Sequence, residues 1–437
     1  MAESLALPHM RRWPFLGDLL AFQSDSTSFL LRIARDQGDV ARFRLGSTDA
    51  FLLCHPDHVR AVLVERASDF SKGRLIQRAR RLLGDGLLTS EGDTHRSQRR
   101  RIQPVFARER LHSYFSIVPE ITAGQAARWT HAGRLRVNGE MDELAMKIVA
   151  QALLGADIER VVPGVGDALR MLSRWAPLLA APGGQILERS QLPVLRRFRT
   201  AIDTIEAAVD RQIAQGGQDA ALLGTLLEAG VGPPMPRRLV RDEVMTIFLA
   251  GHDTTAAALV WIWVLLGTHP QVESRLHAEL SCSVGDRRPQ VDDLERLPYT
   301  AMVVKETLRL YPPIGRIGRR PRQEVQLGSL VLPKGAAVFL SPFVTQRDPR
   351  WFVDPDEFRP ERWTEPAPDR PRFAWFPFGA GPRSCVGEHF AIGVLTLAVA
   401  TLAQQWRLVP LTTDLSRRRS LLTLKPRGTV WMTAQAR

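Results

Sequence analysis

Ten residues near the C-terminal end constrain this chain more than any others. Residues 378–387 read Phe-Gly-Ala-Gly-Pro-Arg-Ser-Cys-Val-Gly, inside the stretch FPFGAGPRSCVGEHFAIG at 376–393. Gly379 and Gly381 let the backbone turn tightly and come close to a flat ligand. Pro382 stiffens the turn. Cys385 stands just before an apolar run of helical spacing that starts near Gly387. A thiol there feels the positive end of the helix dipole and the free N–H groups of the first turn, and both are expected to favour the thiolate. Arg383, two residues upstream, is placed to hold an anionic group. A lone Cys-x-Gly reads as a buried cysteine in a turn. The ten-residue pattern points instead to a metal held by Cys385.

The rest of the chain sets the frame for that loop. The three cysteines, Cys54, Cys282 and Cys385, are far apart and odd in number. A disulfide framework and a zinc site are therefore not expected, and a reducing cytoplasm fits. No uninterrupted apolar run of about 18 residues is present, and residues 1–20 do not resemble a secretory signal, so neither a membrane anchor nor export is expected. The net charge is +13, and only five of the 59 basic residues are lysine. Scattered arginines without a zinc-finger or RNA-binding aromatic signature argue against nucleic acid. Apolar residues recur at three- and four-residue spacing over 25–36, 56–65, 93–103, 140–154, 192–215, 238–267, 270–280, 297–310 and 387–404. Short strands are expected at 39–45, 49–54, 324–333 and 336–340, with 327–340 as two strands joined by a turn at Pro333-Lys334-Gly335. Residues 214–235, with Pro233-Pro234, read as a loop before a long helix. The expected architecture is mainly α with small β-sheets, in one domain over 1–437, and the expected state is a monomer.

The loop at 378–387 resembles the haem-binding loop of the cytochrome P450 family, in which a cysteine thiolate is the proximal iron ligand. Three further segments carry the same resemblance. Glu306-Thr307-Leu308-Arg309 gives Glu-x-x-Arg, with both charges on one helix face, 79 residues before Cys385. FRPERW at 358–363 follows, after the lead-in QRDPRWFVDPDEF at 346–358, where the family often has histidine in place of Gln346. By resemblance, Arg362 joins Glu306 and Arg309 in a buried structural network. Finally, 242–267 is a long apolar helix holding Ala250-Gly251-His252-Asp253-Thr254-Thr255. Acid and hydroxyl groups inside such a helix are costly unless they serve something, and Gly251 with the threonine pair is expected to open the helix locally for a small ligand.

The resemblance implies a cytochrome P450-like fold with haem b buried between the oxygen-groove helix and the cysteine-loop helix. Phe378, Gly379, Arg383, Cys385, Gly387, Ala250, Gly251 and Thr254 would border the haem. His95 and Arg99, at i,i+4 in 92–106, resemble the pair that clamps a propionate. A further arginine is expected in the strand after Tyr311-Pro312-Pro313; Arg319 matches best, with Arg316 and Arg320 as alternatives. Thr254 would hydrogen-bond dioxygen or water at the iron, and Asp253 would feed protons, because O–O cleavage needs protons delivered to one oxygen. His252 is not expected to bind iron.

The implied activity is that of a haem-thiolate monooxygenase. It would insert one atom of O2 into an apolar substrate of secondary metabolism: a terpenoid by preference, or a fatty acid or polyketide. A haem isomerase or peroxygenase, or a non-catalytic haem protein, would have less use for Asp253 and Thr254. Substrate-facing positions implied by the family are the loop at 73–90, the region 168–195 with its apolar run 175–179, Phe248, Ile314, Ile317 and Leu422. Trp13-Pro14-Phe15-Leu16-Gly17 resembles the family's N-terminal lead-in. With 52 residues after Cys385, no fused reductase is expected. Electrons would come from an acidic ferredoxin or flavodoxin and its reductase, met by a basic rim at Arg96 and Arg100.

Overall fold

The computed structural model describes residues 17–154, 171, 193–214, 235–364, 367–412, 418–420 and 422–437. Its longer helices are α1 (Ser26–Gln37), α2 (Arg74–Leu83), α3 (Gly92–Ile102), α4 (Arg108–Ser116), α5 (Val118–Ala126), α6 (Val137–Leu154), α7 (Pro193–Ala214), α8 (Arg237–Thr268), α9 (Pro270–Ser283), α10 (Pro298–Leu310) and α11 (Glu388–Gln405). The strands are β1 (Val40–Leu45), β2 (Thr48–Leu53), β3 (Phe70–Lys72), β4 (Arg134–Arg136), β5 (Ile317–Pro321), β6 (Val325–Leu327), β7 (Leu330–Leu332), β8 (Ala337–Leu340), β9 (Trp406–Pro410), β10 (Arg418–Ser420), β11 (Leu424–Pro426) and β12 (Trp431–Ala436). The mainly α expectation with small sheets holds. The lead-in at 13–16, most of 168–195 with its apolar run 175–179, and the loop at 215–234 lie outside the described residues.

Two helices build the core. From Thr255 to Leu266 every residue of α8 is buried, and α11 is buried from Gly393 to Ala403. A helix apolar all round can be stable only when surrounded. Among the described helices α8 alone is long and apolar enough to cross a membrane, and 78% of that stretch is buried inside the fold. The cysteine loop leads directly into α11, so both halves of the expected site hang on core helices.

Five strands form one mixed sheet in the order β1-β2-β8-β5-β3, with β2 and β8 parallel and the other pairs antiparallel. Smaller sheets are β4-β12-β9, the hairpin β6-β7 and the hairpin β10-β11. Three expectations change. The strand expected at 324–333 is the hairpin β6-β7, turning at Gly328, whose φ of +58° suits glycine. The strands on either side of Pro333-Lys334-Gly335 exist but do not pair: β8 enters the main sheet between β2 and β5, where Val338 and Leu340 are fully buried. The expected loop at 73–90 contains the helix α2.

Candidate active site

The cysteine loop takes the conformation its glycines permit. Gly379 and Gly381 have φ of +71° and +69°, where a side chain is strained. At Gly381 a Cβ would also lie 2.0 Å from the carbonyl oxygen of Leu63. The Cys385 N–H donates to the carbonyl of Phe378 at 2.8 Å, closing the loop. Gly387 caps α11. Cys385 keeps an exposed surface, although protein crowds it on its other sides. The Gly387 N–H and Arg99 favour the thiolate, while that crowding and Glu388 push the thiol up. The helix end alone does not make this thiol a thiolate; a positive metal would.

Behind the loop, Glu306 is fully buried and accepts five hydrogen bonds. Arg309 donates twice, at 2.9 and 2.8 Å. Arg362 Nε and Trp363 Nε1 donate at 2.8 and 2.9 Å, and the Arg359 N–H at 3.1 Å. Burial opposes the charge of Glu306, but the two guanidiniums prevail and hold its carboxyl below the usual range. Gln346 carries this network forward. Its Nε2 donates to the carbonyls of Leu308 and Arg309, and its Oε1 accepts the N–H of Phe376, at the start of the cysteine loop. The sequence reading assigns no part to Trp363 or Gln346. A lone indole and a lone carboxamide carry no sequence signal apart from the neighbouring motif.

A second cluster gathers His95, Arg99, Arg319 and Arg383 beside two residues that sequence reasoning misses, Lys72 and Glu91. Arg99 donates to the carbonyl and hydroxyl of Ser384, at 2.6 and 3.1 Å, which ties α3 to the residue before Cys385. Arg383 donates to Glu91 at 2.8 Å and to the carbonyls of Ala67 and Phe70, so it already has an acid partner. Lys72 Nζ donates to the carbonyls of Leu87, Leu88 and Ser90 at 2.8 Å each. Burial, with Arg383 and Arg319 nearby, brings Lys72 down to about 7. His95 is buried, and burial with the cations Lys72, Arg383 and Arg99 pushes it down to about 4. It is neutral at pH 7.

Strand register separates the three candidate arginines. Arg319 pairs opposite Lys72 and is buried. Its Nε has no partner, and Nη1 reaches only the carbonyl of Gly318. Burial and Arg383 lower it to about 10. Arg316 turns toward Ser26 and Ser420, and Arg320 donates to the carbonyl of Gly335. A buried guanidinium with an orphan donor, in a cluster where cations outnumber carboxylates, suits an added anion. The propionates of haem fit that demand, as the glycine cradle around Cys385 fits a flat macrocycle.

On α8, Ala250 is exposed and Gly251 and Thr254 are half-buried, in a helix otherwise largely closed. These three positions share one face. The Thr254 hydroxyl donates to the carbonyl of Ala250 at 2.6 Å. The helix is not opened there, contrary to expectation: it is α-helical from Arg237 to Thr268. Gly251 instead admits α6, since a Cβ would meet Val149 at 3.2 Å. His252 is buried, with Nε2 3.2 Å from Asp142 of α6. Asp253 is buried and turned to the C-terminal strands, accepting from Thr423 Oγ1 at 2.7 Å and from Lys425 Nζ. Of the expected substrate positions, Phe248 packs in the main core, 6.0 Å from the His252 ring. Ile314 and Ile317 are half-buried, and Ile317 Cδ1 lies 3.6 Å from where a Gly379 Cβ would be. Leu422 is exposed.

Comparison with known proteins agrees with this geometry. A sequence model of the family described as Cytochrome P450 matches residues 7–431. The chain is 35% identical to cyclooctatin synthase of Streptomyces melanosporofaciens over 91% of its own length and 89% of the relative's. It is 36% identical to cyclooctat-9-en-7-ol 5-monooxygenase of the same organism, covering 91% and 88%. Pentalenene oxygenase of Streptomyces avermitilis is 32% identical, covering 85% and 84%. The chain belongs to the cytochrome P450 family and is a haem-dependent monooxygenase that uses O2.

Proposed function

We propose that this enzyme hydroxylates an apolar terpenoid of secondary metabolism, with Cys385 as the iron ligand and Thr254 and Asp253 handling protons. The observation that carries the site assignment is the orphan Nε of buried Arg319, beside Arg383, Arg99 and neutral His95. Arg319, Arg99, His95 and Arg383 would hold the propionates, and Gly379, Gly381 and Phe378 would pack the loop against the ring. When bound, haem supplies the chemistry that activates O2 and transfers one oxygen atom.

The chain's own residues supply the rest. The exposed Ala250 and half-buried Thr254, one helical turn apart, leave space on the oxygen helix. The Thr254 hydroxyl is both donor and acceptor, so it can pass a proton on at Oγ1. Asp253, one residue before it, is the carboxylate that replenishes that proton. The relatives named for pentalenene and for cyclooctat-9-en-7-ol act, by those names, on an alkene and an unsaturated alcohol, which supports a mainly hydrocarbon substrate. Arg100, exposed and without an acid partner among the described residues, and exposed Arg96 lie on α3 beside Arg99. They favour docking of an acidic ferredoxin or flavodoxin. A monomer in the cytoplasm completes the reading.

A spin-state titration of the purified holoenzyme tests the substrate class. A terpenoid panel should shift the Soret band saturably, while fatty acids and polyketides should not. Saturable shifts with fatty acids alone would overturn the terpenoid assignment.

A further inference from the structure

The Asp253 carboxylate is engaged on both oxygens. Thr423 Oγ1 donates to Oδ2 at 2.7 Å, and Lys425 Nζ donates to Oδ1. Both partners flank Leu424 on β11, a strand pinned in two more places. The Leu424 N–H donates to the carbonyl of Pro313, and the Leu424 carbonyl accepts from Trp261 Nε1 at 2.9 Å, further along α8. The backbone that carries Lys425 is therefore held beside Asp253. The two side chains differ in their access to water: 35% of the Lys425 side-chain surface is exposed, against 11% for Asp253. A buried carboxylate that must give up protons repeatedly needs a route to refill. Here the group that joins it to water is an ammonium, which can release a proton; a guanidinium in that place could not.

We propose that Lys425 is the proton entry point for Asp253, with Thr423 fixing the carboxylate's orientation. A proton leaves Lys425 Nζ and binds Asp253 Oδ1, giving a carboxylic acid and a neutral amine. Water then reprotonates the amine. When Asp253 passes its proton toward Thr254, the electron pair stays on the carboxylate, which returns to its pairing with Lys425. No oxidant or reductant is consumed. The hairpin β10-β11 thus carries a residue that serves the oxygen helix, one strand position beyond Leu424. This inference rests on the proton role proposed for Asp253.

The test compares Lys425→Met, Lys425→Arg and Asp253→Asn in the holoenzyme. The first readout is the thermal midpoint. Lys425→Met should lower it in the parent background and leave it unchanged when Asp253 is already Asn, whereas Lys425→Arg should keep it, because the ion pair survives. The second is product formed per electron pair consumed, with its solvent isotope effect. Both Lys425 variants should lose about 10-fold or more in coupled turnover and release peroxide instead. Lys425→Arg turning over with wild-type coupling and isotope effect would overturn the inference. Asp253→Asn turning over fully coupled would instead overturn the proton role of Asp253 itself. The reduced, carbon-monoxide-bound spectrum should be the same in all variants, which separates these outcomes from loss of the haem.

Discussion

Gln346 accepts the backbone N–H of Phe376 at 2.9 Å and donates to the carbonyls of Leu308 and Arg309. One neutral side chain thus joins the end of α10 to the start of the cysteine loop. All of these groups are buried, so none can turn to water. Gln346→Ala should cost about 1–3 kcal/mol, the range for leaving buried partners unsatisfied. Chemical denaturation, with haem retained per protein as a second readout, checks this. Stability and haem content equal to the parent would remove Gln346 from the network.

Glu306 holds two arginines in the interior, and its folded value lies below the ordinary 4.5. A depressed carboxylate contributes stability that is present above 4.5 and is lost as pH falls through the folded value. Glu306→Gln should therefore be less stable than the parent by about 3 kcal/mol at pH 7. The gap should narrow in melts taken progressively below pH 4.5. A gap independent of pH would contradict the charged network.

Glu243 behaves in the opposite sense. It is fully buried on α8 and accepts the Leu87 N–H at 2.8 Å. Burial, aided by Asp242, pushes it up to about 8. Between 4.5 and about 8 the folded state keeps a proton that the unfolded chain releases, so this group's stability is full at low pH and is lost as pH rises through about 8. Glu243→Gln keeps an acceptor for Leu87 and removes the charge. Thermal melts should show the variant more stable than the parent at pH 9, with little difference at pH 5. Equal curves at both pH values would refute the buried-acid reading.

Thr254→Ala separates chemistry from packing. The hydroxyl's hydrogen bond goes back to the carbonyl of Ala250 within the same helix, so its loss should change stability by no more than about 0.5 kcal/mol. Coupled turnover should nevertheless fall by roughly 100-fold, the scale of a lost proton-transfer group. Product and peroxide measured together decide it, and wild-type coupling in the variant would show that Thr254 does not handle protons.

The parts of this site that lie close together in the chain are legible in its sequence. The cysteine loop is contiguous, and Glu306 and Arg309 are one helical turn apart. What stays hidden there depends on distant partners. Lys425 meets Asp253 across 172 positions, and Arg383 meets Glu91 across 292. The choice among Arg316, Arg319 and Arg320 needs the pairing of β5 with β3, since a one-residue slip sends a side chain to the other face. At Cys385 the helix end that favours the thiolate is visible in the sequence, whereas the burial that opposes it is not. Gly251 reads as a gap in its own helix, but the space it leaves is taken by Val149 of α6.

The central claim is that Cys385 binds haem iron as a thiolate. The absorption spectrum of the reduced, carbon-monoxide-bound protein measures this directly, in the parent and in Cys385→Ala. The account predicts the far red-shifted Soret band of thiolate ligation in the parent and its absence in the variant. An unshifted band in the parent, or a shifted band that survives in Cys385→Ala, would contradict it.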